Sequence, residues 1–307
     1  MSPTGPVASR EARKRRDLAA FFPMPPALEP KPRVLLIDAE PAFVAELEQQ
    51  PGMSLVRFER AVSGVAALQL LRRGFYDAVL TSPRSAVGDD LALVEEMQLA
   101  RPGTKAIVLA PSVTAAQVIA SLRAHAFAVF TAPLPLPEIA DMVRRAVQNP
   151  DWKDGLQLVS ARPSWLSLRV DCQRLSADRL IRFLSELAND VPDVTRDDLL
   201  AAFREIVLNA MEHGAGFAPG QLIDVTAVRT ERAIVYYVRD PGPGFTPENV
   251  PHAAISNPPD DPLAHADTRH ALGLRPGGFG LLIARRVVDE FLQSEKGNEV
   301  VLIKHTS

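Results

Sequence analysis

The chain has 307 residues, 47% of them hydrophobic, enough apolar material for two domains each with a core. Its 34 Lys and Arg against 37 Asp and Glu leave a net charge of -3 and a pI near 6.1, so nothing draws it globally to nucleic acid, and neither a helix-turn-helix nor a zinc module is legible. The single cysteine, Cys172, excludes an internal disulfide framework, and no stretch approaches the ~20 apolar residues of a membrane span. The simplest expectation is a cytoplasmic protein with no membrane and no direct nucleic-acid partner.

Residues 1–31 carry Arg10, Arg13, Lys14, Arg15 and Arg16, then Pro23, Pro25, Pro26 and Pro30. That composition cannot bury a core and lacks the apolar run of a signal peptide, so a disordered basic, proline-rich tail is expected. From 32 to 149 apolar strands alternate with helices. Strands are predicted at Arg33–Ile37, Leu55–Phe58, Ala78–Thr81, Lys105–Ala110 and Ala128–Thr131. Helices are predicted from Pro41, near Val65–Arg73, and at Thr114–Ala124 and Leu136–Val147. The alternation argues a doubly wound parallel sheet.

In order and length this (βα)5 segment resembles a response-regulator receiver domain. A receiver holds Mg²⁺ in an acidic cluster so that an aspartate accepts a phosphoryl group, which a hydroxyl and a lysine then read. Matched onto this sequence, Asp38 and Glu40 are kept but Ala39 enters the acidic pair. Ser82 stands at the phosphoacceptor position, Ala110 at the hydroxyl and Ala132 at the lysine. The resemblance therefore implies a pseudo-receiver without a phosphoacceptor, one that docks a partner or dimerises. Ser82 itself reads as a turn residue rather than a target of another kinase.

Residues 150–307 hold three stretches in a fixed order. In the first, Leu199, Leu200, Phe203, Ile206, Val207 and Ala210 recur at helical spacing, with Thr195 expected as the N-cap. Glu205 and Asn209 then share one polar face a turn apart. A carboxylate there can take a proton from an attacking hydroxyl, and an amide oxygen can ligate Mg²⁺ on phosphates. In the second stretch the alternating segment Ala233–Val238 predicts a strand delivering Asp240, whose carboxylate can accept a hydrogen bond from an exocyclic amine such as that of adenine. Gly242 and Gly244 flank Pro243 and let backbone approach a ligand. In the third, Gly277, Gly278 and Gly280 precede a predicted helix, Leu281–Phe291, whose free amides suit phosphate.

In this order the stretches resemble the ATPase domain shared by gyrase, MutL and histidine kinases, the GHKL or Bergerat-type α/β sandwich with an antiparallel or mixed sheet. Within it, the anti-sigma-factor serine kinases are the nearest in pattern, through the strand Leu166–Val170, the helix Ala177–Leu187, the Glu205 helix and Gly297-Asn-Glu-Val-Val-Leu302. The resemblance implies Glu205 as general base and Asn209 as Mg²⁺ ligand. It makes Asp240 the adenine anchor and Gly242, Gly244, Gly278 and Gly280 nucleotide-contacting backbone, with Arg275 adding positive charge near the phosphates. Sensor histidine kinases usually carry asparagine where Glu205 stands, and no upstream hairpin with a phosphoacceptor histidine is legible. His125 lies in the other half, and His213 closes the Glu205 helix motif.

Thr246–Pro276 is long, aperiodic and rich in Pro, Asp and His, and is expected to be a lid. His252, His265 and His270 beside Asp260, Asp261 and Asp267 lack tight ligand spacing and read as solvated loop residues rather than a metal site. The expected function is an ATP- and Mg²⁺-dependent protein-serine kinase that phosphorylates an anti-sigma-factor antagonist or sequesters a sigma factor, possible as a homodimer. The alternative is a non-catalytic, nucleotide-gated protein-binding module in a two-component or partner-switching pathway.

Overall fold

The computed structural model describes residues 31–244, 261, 264–271 and 280–306. The tail up to residue 30, most of the expected lid, and Arg275, Gly277 and Gly278 lie outside the described residues.

The first unit is a five-stranded parallel sheet. Its strands are β1 (Arg33–Ile37), β2 (Arg57–Ala61), β3 (Ala78–Leu80), β4 (Ala106–Ala110) and β5 (Ala128–Thr131), in the order β2-β1-β3-β4-β5. Helices α1 (Pro41–Glu48), α2 (Gly64–Arg73), α3 (Val87–Ala100), α4 (Ala115–Arg123) and α5 (Leu136–Gln148) fill the crossovers. This is the doubly wound order of flavodoxin-like and receiver folds. Helices on both faces explain why β3 and β4 are apolar and buried at every position instead of alternating. Ser63 caps α2 by accepting the Ala66 N–H, and Thr114 with Gln117 closes a capping box on α4. The expected strand at Leu55 is corrected: Gly52 turns the chain at φ 84, Met53–Leu55 forms a short 3₁₀ turn with Met53 buried, and the strand starts at Arg57.

The second unit is a six-stranded antiparallel sheet ordered β10-β11-β9-β8-β7-β6. Its strands are β6 (Leu156–Arg162), β7 (Trp165–Asp171), β8 (Leu222–Arg229), β9 (Ala233–Arg239), β10 (Glu290–Gln293) and β11 (Glu299–His305). Helices α6 (Arg174–Leu187), α7 (Asp193–Asn209), α8 (Ala264–Ala271) and α9 (Gly280–Val287) complete it. The strands alternate: Leu166, Leu168 and Val170 on β7 and Ile234, Tyr236 and Val238 on β9 are buried, as are Phe183, Phe203, Val207 and Ala284 from the helices. Phe203 and Tyr236 stack with ring centroids 4.4 Å apart.

Three expectations need correction here. Thr195 is not an N-cap, because Pro192 sets the extended turn and α7 begins at Asp193 without a side-chain cap. The helix expected to reach Phe291 stops at Val287, since Glu290–Gln293 pairs with Val300–Ile303 as an edge strand; Phe291, spaced like a helical residue, lies opposite Leu302. Within the expected aperiodic lid, Ala264–Ala271 is helical.

The first unit has two buried apolar clusters of its own, and a third is shared with the second unit. One apolar cluster runs from Val108, Val118 and Val129 of the first into Leu156, Leu180 and Phe183 of the second. Helix α6 lies along β5, the edge strand of the parallel sheet. Arg179, fully buried, donates from Nε to Phe127 O (2.9 Å), from Nη2 to Ala126 O (3.0 Å) and from Nη1 to Asp154 (2.8 Å), with its guanidinium over the rings of Phe127 and Trp152. Further along, the Thr131 hydroxyl donates to Glu186 at 2.8 Å. A helix of charged side chains thus meets a strand edge that would otherwise stay unpaired.

Candidate nucleotide site

Helix α7 buries Leu199, Leu200, Phe203, Ile206 and Val207 toward the sheet, which leaves Glu205 and Asn209 half-buried on its other side, one turn apart. Directly after Asn209 the helix widens into a π turn, Ala210–Gly214, closed by Ala215 N donating to Ala210 O at 3.0 Å. Such turns are rare and gather at functional sites. This one drops Gly214 against Asp240, where a Cβ would lie 2.2 Å from the carboxyl carbon.

Asp240 follows β9 and is held by backbone. Its N–H donates to Asn298 O (3.0 Å), its carbonyl accepts from the Asn298 side chain (3.0 Å), and its Oδ1 accepts the Gly242 N–H (2.8 Å). Burial raises the Asp240 carboxyl above the usual carboxylate range, against the pull of the Gly242 N–H and Lys296. A Cβ at Gly242 would lie 2.5 Å from Gly214 O, and one at Gly244, at φ 80, would lie 1.8 Å from Lys296 O. The glycines here are demanded by backbone-to-backbone approach.

Gly280 opens α9, which packs on α7; a Cβ there would lie 2.6 Å from Glu205 Oε2. The start of a helix, with its free amides, therefore abuts the carboxylate face of α7. Gly214, Asp240, Gly242 and Gly244 thus pack together at one end of the antiparallel sheet, and Gly280 abuts Glu205, one turn before Asn209, on α7. Close backbone and one desolvated carboxylate are the features that a nucleotide site would use. The sequence motifs include Gly214 and Asn298 without giving either a role; the structure sets both against Asp240. Cys172, close enough to Asp240 to feel its charge, has its thiol pushed up to about 11 by burial and by Asp171 and Asp240, so it is not a nucleophile at neutral pH.

The corner of the first unit that would correspond to a receiver's phosphorylation site is filled differently. Ser82 is 3% exposed, its Oγ 3.5 Å from Asp38 Oδ2, and Arg84 reaches back to Asp38 Oδ1 (2.9 Å) and Glu40 Oε1 (3.0 Å). Both acidic side chains are paired, in a half-exposed cluster, with Arg84, a residue that sequence reading did not single out. Behind it, the buried Asp90 accepts from Ser85 (2.7 Å) and Thr81 (3.2 Å), and burial pushes its carboxyl up to about 6. An unfolded Asp titrates near ~3.9. Between those values the folded chain binds the extra proton, so the contribution of Asp90 to stability is fully present below about 4 and is lost as pH rises through 6. Asp90→Asn is expected to flatten that slope in urea titrations run from pH 4 to 7; an unchanged slope would place its origin elsewhere.

His125 pairs with Asp154 at 2.7 Å beside the domain junction, remote in sequence and role from the α7 face. Among the described residues no group of three or more His, Cys, Asp or Glu could hold a metal, and no helix is long and apolar enough to cross a membrane. His252, Asp260 and the side chain of His265 lie outside the described residues.

Residues 170–304 match the family model described as histidine kinase-like ATPase domain. The chain carries a histidine kinase-like ATPase domain. That ATPase domain contains every described residue of the site above, from α7 to the turn before β11. None of the curated proteins compared matches the chain. Among solved structures, 40% of the chain is similar to 98% of a CheY-like response regulator receiver domain protein from Methanospirillum hungatei JF-1, at 19% identity and a TM-score of 0.36. It is also similar to the signal receiver domain of an HD domain-containing protein from Pseudomonas fluorescens Pf-5 (20% identity, 40% of this chain, 98% of that one, TM-score 0.35). A response regulator from Thermotoga maritima gives 21% identity over 39% of this chain and 99% of its own, with a TM-score of 0.35. The receiver-like fold of the first unit rests on its own strand order, 2-1-3-4-5. The chain thus joins a receiver-like fold to a histidine kinase-like ATPase domain.

Proposed function

We propose that the chain is an ATP- and Mg²⁺-dependent protein-serine kinase of the anti-sigma type, acting on a serine of an anti-sigma-factor antagonist, with the receiver-like unit as a docking or regulatory domain. The observation that carries this reading is the Glu205–Asn209 pair on the half-buried face of α7, with the start of α9 against the carboxylate. Asp240 anchors adenine through its carboxylate, already desolvated and held by the Gly242 N–H, while Asn298 fixes its backbone. Gly242 and Gly244 bring backbone against the nucleotide, while Gly278, Gly280 and Arg275 belong to the phosphate end. Asn209 holds Mg²⁺, which when bound neutralises phosphate charge. Glu205 orients the incoming serine hydroxyl and takes its proton. A carboxylate at this position favours a hydroxyl acceptor over the histidine of sensor kinases.

Transfer from labelled ATP to a candidate antagonist tests the reading. Acid-stable label is expected. Glu205→Ala should lower its rate by ~10²-fold or more while calorimetric Mg²⁺-ATP affinity stays within about threefold. Asn209→Ala and Asp240→Asn should each weaken binding by more than about tenfold, the scale of one lost charge-assisted contact. Tight binding without transfer to any partner would leave a nucleotide-gated binding module, and acid-labile label would point to histidine.

A further inference from the structure

We infer that Asp178 is a positioning residue that ties the orientation of the Glu205 helix to the last helix of the receiver-like unit; this rests on reading Glu205 and Asn209 as the nucleotide face. Asp178 sits on α6, between the two domains, with its side chain 9% exposed. Its two oxygens serve two different elements. Oδ1 accepts from Arg204 of α7, at 2.8 Å from Nη2 and 3.2 Å from Nε, and Oδ2 accepts from Arg145 of α5. Arg145 is itself steadied by Asp141 at 2.6 Å. Helix α5 is pinned in turn, because the buried Lys105 donates to Ala146 O at 2.7 Å at the entry to β4.

An exposed ion pair contributes little, but a nearly buried carboxylate shared by two guanidiniums cannot lose one without leaving its charge balance altered. Arg204 immediately precedes Glu205. Successive helix residues point about 100° apart, so the grip on Arg204 sets how α7 is rotated about its axis and where Glu205 and Asn209 aim. A partner that displaces α5, or a change in the receiver-like unit that moves Arg145, is transmitted through Asp178 to the nucleotide face. Arg182 supports the same junction from α6 by pairing with both Glu138 of α5 and Glu186.

The test uses the full chain as wild type, Arg145→Ala, Arg145→Lys and Asp178→Asn. Amide hydrogen exchange over 203–214 is the first readout, and calorimetric affinity for Mg²⁺ with a non-hydrolysable ATP analogue the second. Arg145→Ala and Asp178→Asn should each speed exchange in 203–214 and weaken the analogue by about fivefold or more, with Arg145→Lys partly restoring both. Unchanged exchange in 203–214 overturns the inference. Faster exchange with unchanged affinity also overturns it, reducing Asp178 to a structural contact. Faster exchange in a chain whose wild type binds no analogue keeps the mechanical link and removes the proposed function instead.

Discussion

Arg179→Ala is expected to destabilise the full chain by about 3–5 kcal/mol, the range for removing one partner of a buried ion pair. The side chain is fully buried and all its contacts cross between segments far apart in sequence: Asp154 on the linker, the carbonyls of Ala126 and Phe127, and the faces of Phe127 and Trp152. Truncation removes a donor from two carbonyls and, among the described residues, leaves Asp154 its bonds with His125 and the Leu156 N–H. The planar guanidinium serves three acceptors from one plane, a geometry that a lysine ammonium cannot reproduce, so Arg179→Lys should recover less than half of the loss. Urea denaturation followed by circular dichroism measures this. A loss below about 1 kcal/mol would mean that β5 and α6 are held together by the apolar cluster alone.

Gly244→Ala is expected to cost at least ~100-fold in Mg²⁺-ATP affinity, about 2.7 kcal/mol. Two effects add. Gly244 has φ 80, where a side chain costs ~1–2 kcal/mol. The new Cβ would also lie 1.8 Å from Lys296 O, a backbone atom that cannot swing aside as a side-chain tip does. The segment from Asp240 to Gly244 must then lift away from the turn before β11, straining the backbone bonds between Asp240 and Asn298 and moving the carboxylate that Gly242 holds. Gly220→Ala is the control. Gly220 also has φ 80, but no neighbour lies within 4 Å of its would-be Cβ, so it incurs the conformational cost without the collision and should leave affinity within about twofold. Equal losses in the two variants would show that general destabilisation, not displacement of Asp240, is being measured.

The ion-paired corner around Arg84 bears on how the receiver-like unit works. Asp38 and Glu40 are paired with Arg84 in a half-exposed cluster at the ends of the strands, and Ser82 beside them is buried. The unit's evident structural connection is through α5 and β5 to the ATPase domain, which is where partner binding would be felt.

Short-range patterns are legible in the amino-acid sequence. Continuous apolar runs mark the parallel strands, because strands covered on both faces need no polar side. Spacing of four places Glu205 and Asn209 on one helix face, since that geometry is intrinsic to the helix. The glycines near Asp240 signal close backbone approach, although their partners, Gly214 and the Lys296 carbonyl, are not readable from spacing. Helix and strand cannot be told apart around Phe291, whose apolar spacing suits both; pairing with β11 decides it.

The use of charge, by contrast, is set by folding in three dimensions. Asp178, Arg179 and Arg182 are charged residues of one amphipathic helix, yet their side chains are buried or nearly so at the junction of the two domains, where the half-exposed Arg204 reaches Asp178 from α7. Local spacing along the chain is enough to mark the element order of both units and to set Glu205 and Asn209 on one helix face. Whether those units act as one body depends on contacts between residues 25 to 55 positions apart, such as Arg179 with Asp154 and Thr131 with Glu186. No local pattern encodes such pairs, since the stabilisation of a buried charge depends on what the rest of the chain places beside it.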